Sequence, residues 1–152
     1  MTRLPTPAAA LGLAGLIPFV YGVLMIFAEP GTLPTFGFFP SGPSGGVRIL
    51  EAFGAAILGF MGGCLWGFAS ARPGGPTLSL LVASAVPAFL AFISIREAPA
   101  LSCLWLAFGF VALQVIDVAF QRAGVAPAYW LTLRLPLTGV VLACLLIGAV
   151  YG

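Results

Sequence analysis

Apolar residues fill five long stretches of this chain, near residues 7–28, 47–69, 77–95, 98–120 and 131–151, with arginine, proline and glycine collected between them. The runs are continuous rather than alternating with period two, so they predict helices and not the strands of a barrel. A hydrocarbon core about 30 Å thick is crossed by roughly 20 apolar residues in a helix, and each stretch meets that length. The prediction is an all-α membrane protein, a five-span transmembrane helix bundle, with residues 1–152 as a single transmembrane domain and no room for a soluble one. Arg3 followed by an apolar run resembles a signal peptide. That run is too long, however, and Ile26 is a poor residue three places before a cleavage point, so the first span is expected to be retained.

The second stretch carries small residues at every fourth position, Ala55, Gly59, Gly63 and Gly67. Apolar side chains gain little by leaving lipid, so membrane helices associate by close packing, which a ridge of small residues permits. The ridge predicts a helix partner, inside the chain or outside it. It makes Gly63 sensitive to a larger side chain and Leu58 less so.

Composition agrees with this picture. With 61% hydrophobic and 7% charged residues, polar groups cannot cover the apolar surface, so the solvent is lipid. A net charge of +2 on scattered arginines gives no nucleic-acid footprint. The arginines report orientation instead: Arg3, Arg72, Arg122 and Arg134 fall on one side of the alternating topology, Arg48 and Arg96 on the other. The positive-inside rule then places the N-terminus in the cytoplasm and the C-terminus outside. Tyr129, Trp130 and Tyr151 suit interfacial aromatic belts. The absence of lysine and the weight of arginine, alanine, glycine and proline hint at a high-GC bacterial genome. The bacterial inner membrane is therefore preferred to the mitochondrial one.

Arg72-Pro73-Gly74-Gly75-Pro76 and Arg96-Glu97-Ala98-Pro99 read as tight turns, making spans two, three and four antiparallel neighbours. The connection from Glu29 to Gly46 is longer and, with four prolines and five glycines, is expected to hold no regular element. Its Phe36, Phe38 and Phe39 want an apolar surface. They suit a loop lying on the lipid interface or on its own bundle; a docking surface for another subunit is the sharper alternative. Pro18, Pro87 and Pro136 fall inside spans, where each removes a backbone donor and frees the carbonyl four residues earlier. Such breaks can line a transport site, and more often are kinks satisfied by neighbouring helices. Pro136, near a helix start, needs little explanation.

Ionisable residues within a membrane are the default functional candidates. Glu51 has Arg48 three residues before it on the same helix face. Asp117 shares a face with Gln114 and Gln121, and Arg134 enters the fifth span from the same side as its natural partner. By helix rise the two acids are on the order of 20 Å apart along the membrane normal, too far for a catalytic dyad. Each reads as a polar contact that fixes packing.

No catalytic, cofactor or metal site is read from the chain. Cys64, Cys103 and Cys144 fall at different depths on different spans, which opposes a cluster or a bridge, and no CxxC is present. With no histidine, the commonest axial haem ligand and the base of a serine triad are both missing.

LGLAGLIPF in the first span, GAAILGFMGGCLWG in the second, a proline-centred third span and APAYWLTLRLPLT leading into the fifth occur in this order. Over residues 10–150 the chain resembles the family called domain of unknown function 3429. These are uncharacterised bacterial membrane proteins whose eukaryotic relatives include the mitochondrial transmembrane protein 69. Gly62 to Gly67 and Trp130 to Thr138 carry the most specific similarity. The family often has a polar or basic residue before the tryptophan, where this chain has Leu65. The resemblance implies an inner-membrane location and assigns no reaction.

These features point to a non-enzymatic packing protein, an accessory subunit or assembly factor of a larger energy-transducing complex, respiratory or photosynthetic. Its partners would be the lipid bilayer and another integral membrane protein or a homo-oligomer. The alternative is a small transporter or proton-conducting protein using Glu51 and Asp117.

Overall fold

The structure, a computed structural model, describes residues 5–35, 37 and 39–152. Six helices follow in chain order: α1 (Thr6–Ala14), α2 (Ile17–Phe27), α3 (Pro43–Ser70), α4 (Leu78–Ser94), α5 (Pro99–Arg122) and α6 (Trp130–Tyr151). No strand occurs among the described residues. Four segments are long and apolar enough to cross a membrane: Thr6–Phe27, which joins α1 and α2, then α3, α5 and α6. The apolar α4 is shorter, and its 17 residues rise about 25 Å, near the lower limit for a span. The chain is thus a helical membrane bundle, and phenylalanines such as Phe60, Phe89, Phe92 and Phe108 stand exposed on its outer face.

The first span is broken rather than kinked at its proline. Gly15 ends α1, with its N–H on the Leu11 carbonyl, and Pro18 lies in the first turn of α2, where a missing N–H leaves no helical bond unmade. Pro136 differs from its expected place as well: it is the seventh residue of α6, inside the helix.

The long connection also ends sooner than its composition suggests. Gly42 adopts φ +79°, a left-handed conformation that glycine reaches without strain, and Pro43 starts α3. Residues 43–46 are therefore helix. Their glycines serve packing, because a Cβ at Gly45 would overlap the Pro40 carbonyl and one at Gly46 would overlap the Gly22 carbonyl of α2. The Tyr21 hydroxyl donates to the Pro34 carbonyl and holds this connection against α2. Phe39 is half-buried beside Pro18 and Phe53; Phe36 and Phe38 lie outside the described residues.

Helix α3 is central, packing against α2, α4, α5 and α6. Its inward face alternates small and large residues: Gly46, Leu50, Gly54, Leu58, Gly62 and Leu65, all buried. A Cβ on Gly62 would come within 2.8 Å of the Ser84 carbonyl oxygen and 3.5 Å of Pro87 on α4. The proline inside α4 thus packs at a close approach of two helices. Leu58 sits against Gly109 of α5, and Leu50 against Gly148 of α6. Phe19 packs edge-on to Phe53 and Phe110, with ring centroids 5.3 and 6.4 Å away.

The ridge of Gly59, Gly63 and Gly67 does not make these contacts. A Cβ at any of the three would meet nothing within 4 Å, and Gly63 and Gly67 are exposed; Ala55 alone of the four packs on the core. The close-packing register lies one residue away, which also reverses the expected sensitivities of Leu58 and Gly63 within the bundle. Leu58 is fully buried.

Candidate functional site

Helix α5 ends in a Schellman motif. The N–H of Val125 bonds the Phe120 carbonyl, the N–H of Gly124 bonds the Gln121 carbonyl, and Gly124 takes φ +67°. This turn, with the Gln121 side-chain amide donating to the Ala128 carbonyl at 3.3 Å, returns the chain within seven residues to start α6 at Trp130. Two stripes consequently face each other: Gln114, Asp117 and Gln121 on α5, and Trp130, Arg134 and Thr138 on α6. Spacings of three and four keep each stripe on one helix face.

Asp117 is fully buried at their centre. Its Oδ1 accepts a hydrogen bond from Trp130 Nε1 at 2.6 Å, and its Oδ2 accepts one from Arg134 Nε at 3.2 Å. Both α6 donors are themselves buried, and Phe68 of α3 stands edge-on to the Trp130 indole at 4.9 Å. An isolated carboxylate away from water is strongly disfavoured, so one that stays ionised requires a cation and further donors. Arg134 supplies the charge and Trp130 the second hydrogen bond. Trp130 is thus an interior ligand of Asp117 and not an interfacial belt residue. Its position four residues before Arg134 is the signal that identifies it: a donor at that spacing reaches the same carboxylate.

Several polar atoms of the cluster have no hydrogen-bond partner among the described residues: Arg134 Nη2, Thr138 Oγ1, Gln121 Oε1 and both amide atoms of Gln114. Arg134 and Trp130 also line a cavity of about 330 Å³ bounded by α1, α2, α3 and α6. Across α6, Gln114, Thr138 and Arg122 line an open groove between α5 and α6.

Glu51 belongs to a separate place. It is buried on α3, and its Oε2 lies 3.9 Å from Arg48 Nη1, whose side chain is half exposed; its Oε1 is buried without a hydrogen-bond partner among the described residues. No hydrogen bond or ion pair among the described residues joins this pair to the Asp117 cluster. Cys64, Cys103 and Cys144 are free thiols, the latter two buried. No group of three or more metal-ligating side chains occurs among the described residues.

Transmembrane protein 69 of Xenopus tropicalis is 40% identical to the chain over 93 residues. That match covers 60% of this chain and 33% of the relative, so the chain corresponds to about a third of that protein's length. No solved structure matches. The family model described as protein of unknown function (DUF3429) matches residues 4–150, and the chain belongs to that family.

Proposed function

We propose that this multi-pass membrane protein is a non-enzymatic packing subunit, an accessory or assembly component of a larger energy-transducing complex in the bacterial inner membrane. The observation that carries the reading is the open strip of Gly59, Gly63 and Gly67 along the central helix, with exposed Phe60 and Trp66 beside it. The bundle's own close contacts are made elsewhere on α3, so the strip offers a backbone approach that no described residue uses. A transmembrane helix of another protein, or of a second copy, fits such a strip. The transporter reading finds less support, since Asp117 is enclosed by Trp130 and Arg134, and Glu51 lies in a separate pair.

Mild-detergent purification of the tagged chain from its native membrane tests the proposal. A membrane protein should co-purify in fixed stoichiometry, and Gly63→Leu should release it while the bundle stays folded. Recovery of the chain alone, or a complex indifferent to Gly63→Leu, would reject the strip as the contact.

A further inference from the structure

The cavity beside Arg134 is built differently from the surface grooves. Its walls are apolar, drawn from Leu11, Phe19, Ile57, Met61, Leu137 and Val141 among others, and Arg134 is the one charged side chain among the described residues that line it. Arg134 is only 5% exposed, and among the described residues its side chain makes one hydrogen bond, from Nε to Asp117. The guanidinium carries further N–H donors on a residue that lines the cavity, and charge-assisted hydrogen bonds are strong, so an acceptor that reaches one would be strongly held.

Charge decides what kind of acceptor fits. Asp117 already balances Arg134 through the 3.2 Å contact at Nε. A second anion would leave an uncompensated negative charge in a low-dielectric site, whereas a neutral carbonyl oxygen accepts from the guanidinium without disturbing the balance. The remainder of the site asks for an apolar body. From Arg134 to Val141 the α6 wall runs about 10 Å by helix rise, and its lining residues are aliphatic. A volume of 330 Å³ lies within the range of small-molecule sites. Access from the bilayer is short, because α1 forms one wall, packs on α6 and contains no buried residue.

We propose that this cavity binds a neutral lipid-soluble molecule whose carbonyl head accepts a hydrogen bond from Arg134 and whose chain lies along Leu137 and Val141. A quinone ring and a glycerol ester both present that chemistry.

The experiment uses the full chain in detergent, offered decylubiquinone, dioctanoylglycerol or decanoate, with retention measured by native mass spectrometry. Cys64 lines the cavity and reports occupancy at the site through its rate of maleimide labelling. Decylubiquinone is fully substituted on its ring and cannot add the thiol. One of the two neutral compounds should be retained at least tenfold more than decanoate and slow Cys64 labelling at least fivefold; which one does so identifies the source. Arg134→Gln should weaken retention tenfold or more. Since that variant can unfold by stranding Asp117, Ile57→Trp, which fills the cavity and leaves the Asp117, Trp130 and Arg134 contacts alone, should abolish retention with an unchanged melting temperature. Preference for decanoate, retention unaffected by Ile57→Trp, or no retention of any compound would overturn the proposal.

Discussion

The indole nitrogen of Trp130 lies 2.6 Å from the Asp117 carboxylate, and this contact ties the first turn of α6 to the last turns of α5 across a seven-residue connection. Trp130 is thereby a structural partner of a charge, shielding from one side the ion pair that Arg134 completes. The first prediction follows from removing the acid. Asp117→Ala leaves Arg134 buried and unpaired, a change that costs about 3–5 kcal/mol where a buried pair loses one member. Trp130→Phe keeps an aromatic ring and the ion pair and should cost about 1.5–3 kcal/mol for one hydrogen bond to a charged group. Melting temperatures in one detergent check the order: Asp117→Ala below Trp130→Phe, and Trp130→Phe below the parent.

Small residues on α3 have two opposite uses, and substitution separates them. Gly63→Leu places its side chain where a Cβ meets nothing within 4 Å, so the isolated bundle should be unchanged or stabilised by up to about 1 kcal/mol through helix propensity. Gly62→Leu drives a side chain at the Ser84 carbonyl oxygen, 2.8 Å from the Cβ position, and should abolish monodisperse protein. Leu58→Ala opens space against Gly109 in the core and should cost about 2–3 kcal/mol. Size-exclusion profiles and melting temperatures of the three variants give the comparison.

Much of this was legible in the sequence because lipid imposes a length. Each of the five apolar runs corresponds to a helical segment, with the start of α3 at Pro43 four residues earlier than expected and the other ends within one or two residues. The pairings of Asp117 with Arg134 and of Glu51 with Arg48 follow from charge and helical spacing. The facing of α3 was not legible. Gly54 and Gly62 on one face, and Gly59, Gly63 and Gly67 on the next, are both small-residue series in an apolar helix, and hydropathy does not distinguish lipid from a helix neighbour. Only the partners, Leu58 against Gly109 and Gly62 against Ser84, decide between them. Trp130 was hidden for a related reason: an indole near a helix end fits a membrane interface as readily as it fits a buried carboxylate. Gly45 and Gly46 resembled loop because composition cannot show that Gly22 crosses there.

The positive-inside rule predicts an orientation that can be checked directly. A reporter fused after Gly152 should read outside the cytoplasm, and one inserted between Gly74 and Gly75, both in a positive-φ turn between α3 and α4, should read inside. Reversal of both signals would place the Asp117 cluster at the outer surface and Glu51 at the inner one.

Transport and packing differ in what they demand of the two acids. An amide keeps the shape and hydrogen-bonding capacity of a carboxylic acid but cannot gain or lose a proton between about pH 4 and pH 9. In a packing protein, Asp117→Asn should still accept the Trp130 hydrogen bond while weakening the Arg134 contact, leaving a folded chain of lower melting temperature. Glu51→Gln gives up only a 3.9 Å contact to a half-exposed Arg48 and should be nearly neutral. A carrier that cycles a proton through either carboxylate could not survive its replacement. Proteoliposomes containing the parent, Asp117→Asn and Glu51→Gln, monitored for internal pH under an imposed gradient, should behave alike and like protein-free vesicles. Proton flux by the parent that disappears in a folded amide variant would replace the packing role with transport and would identify which acid carries the proton.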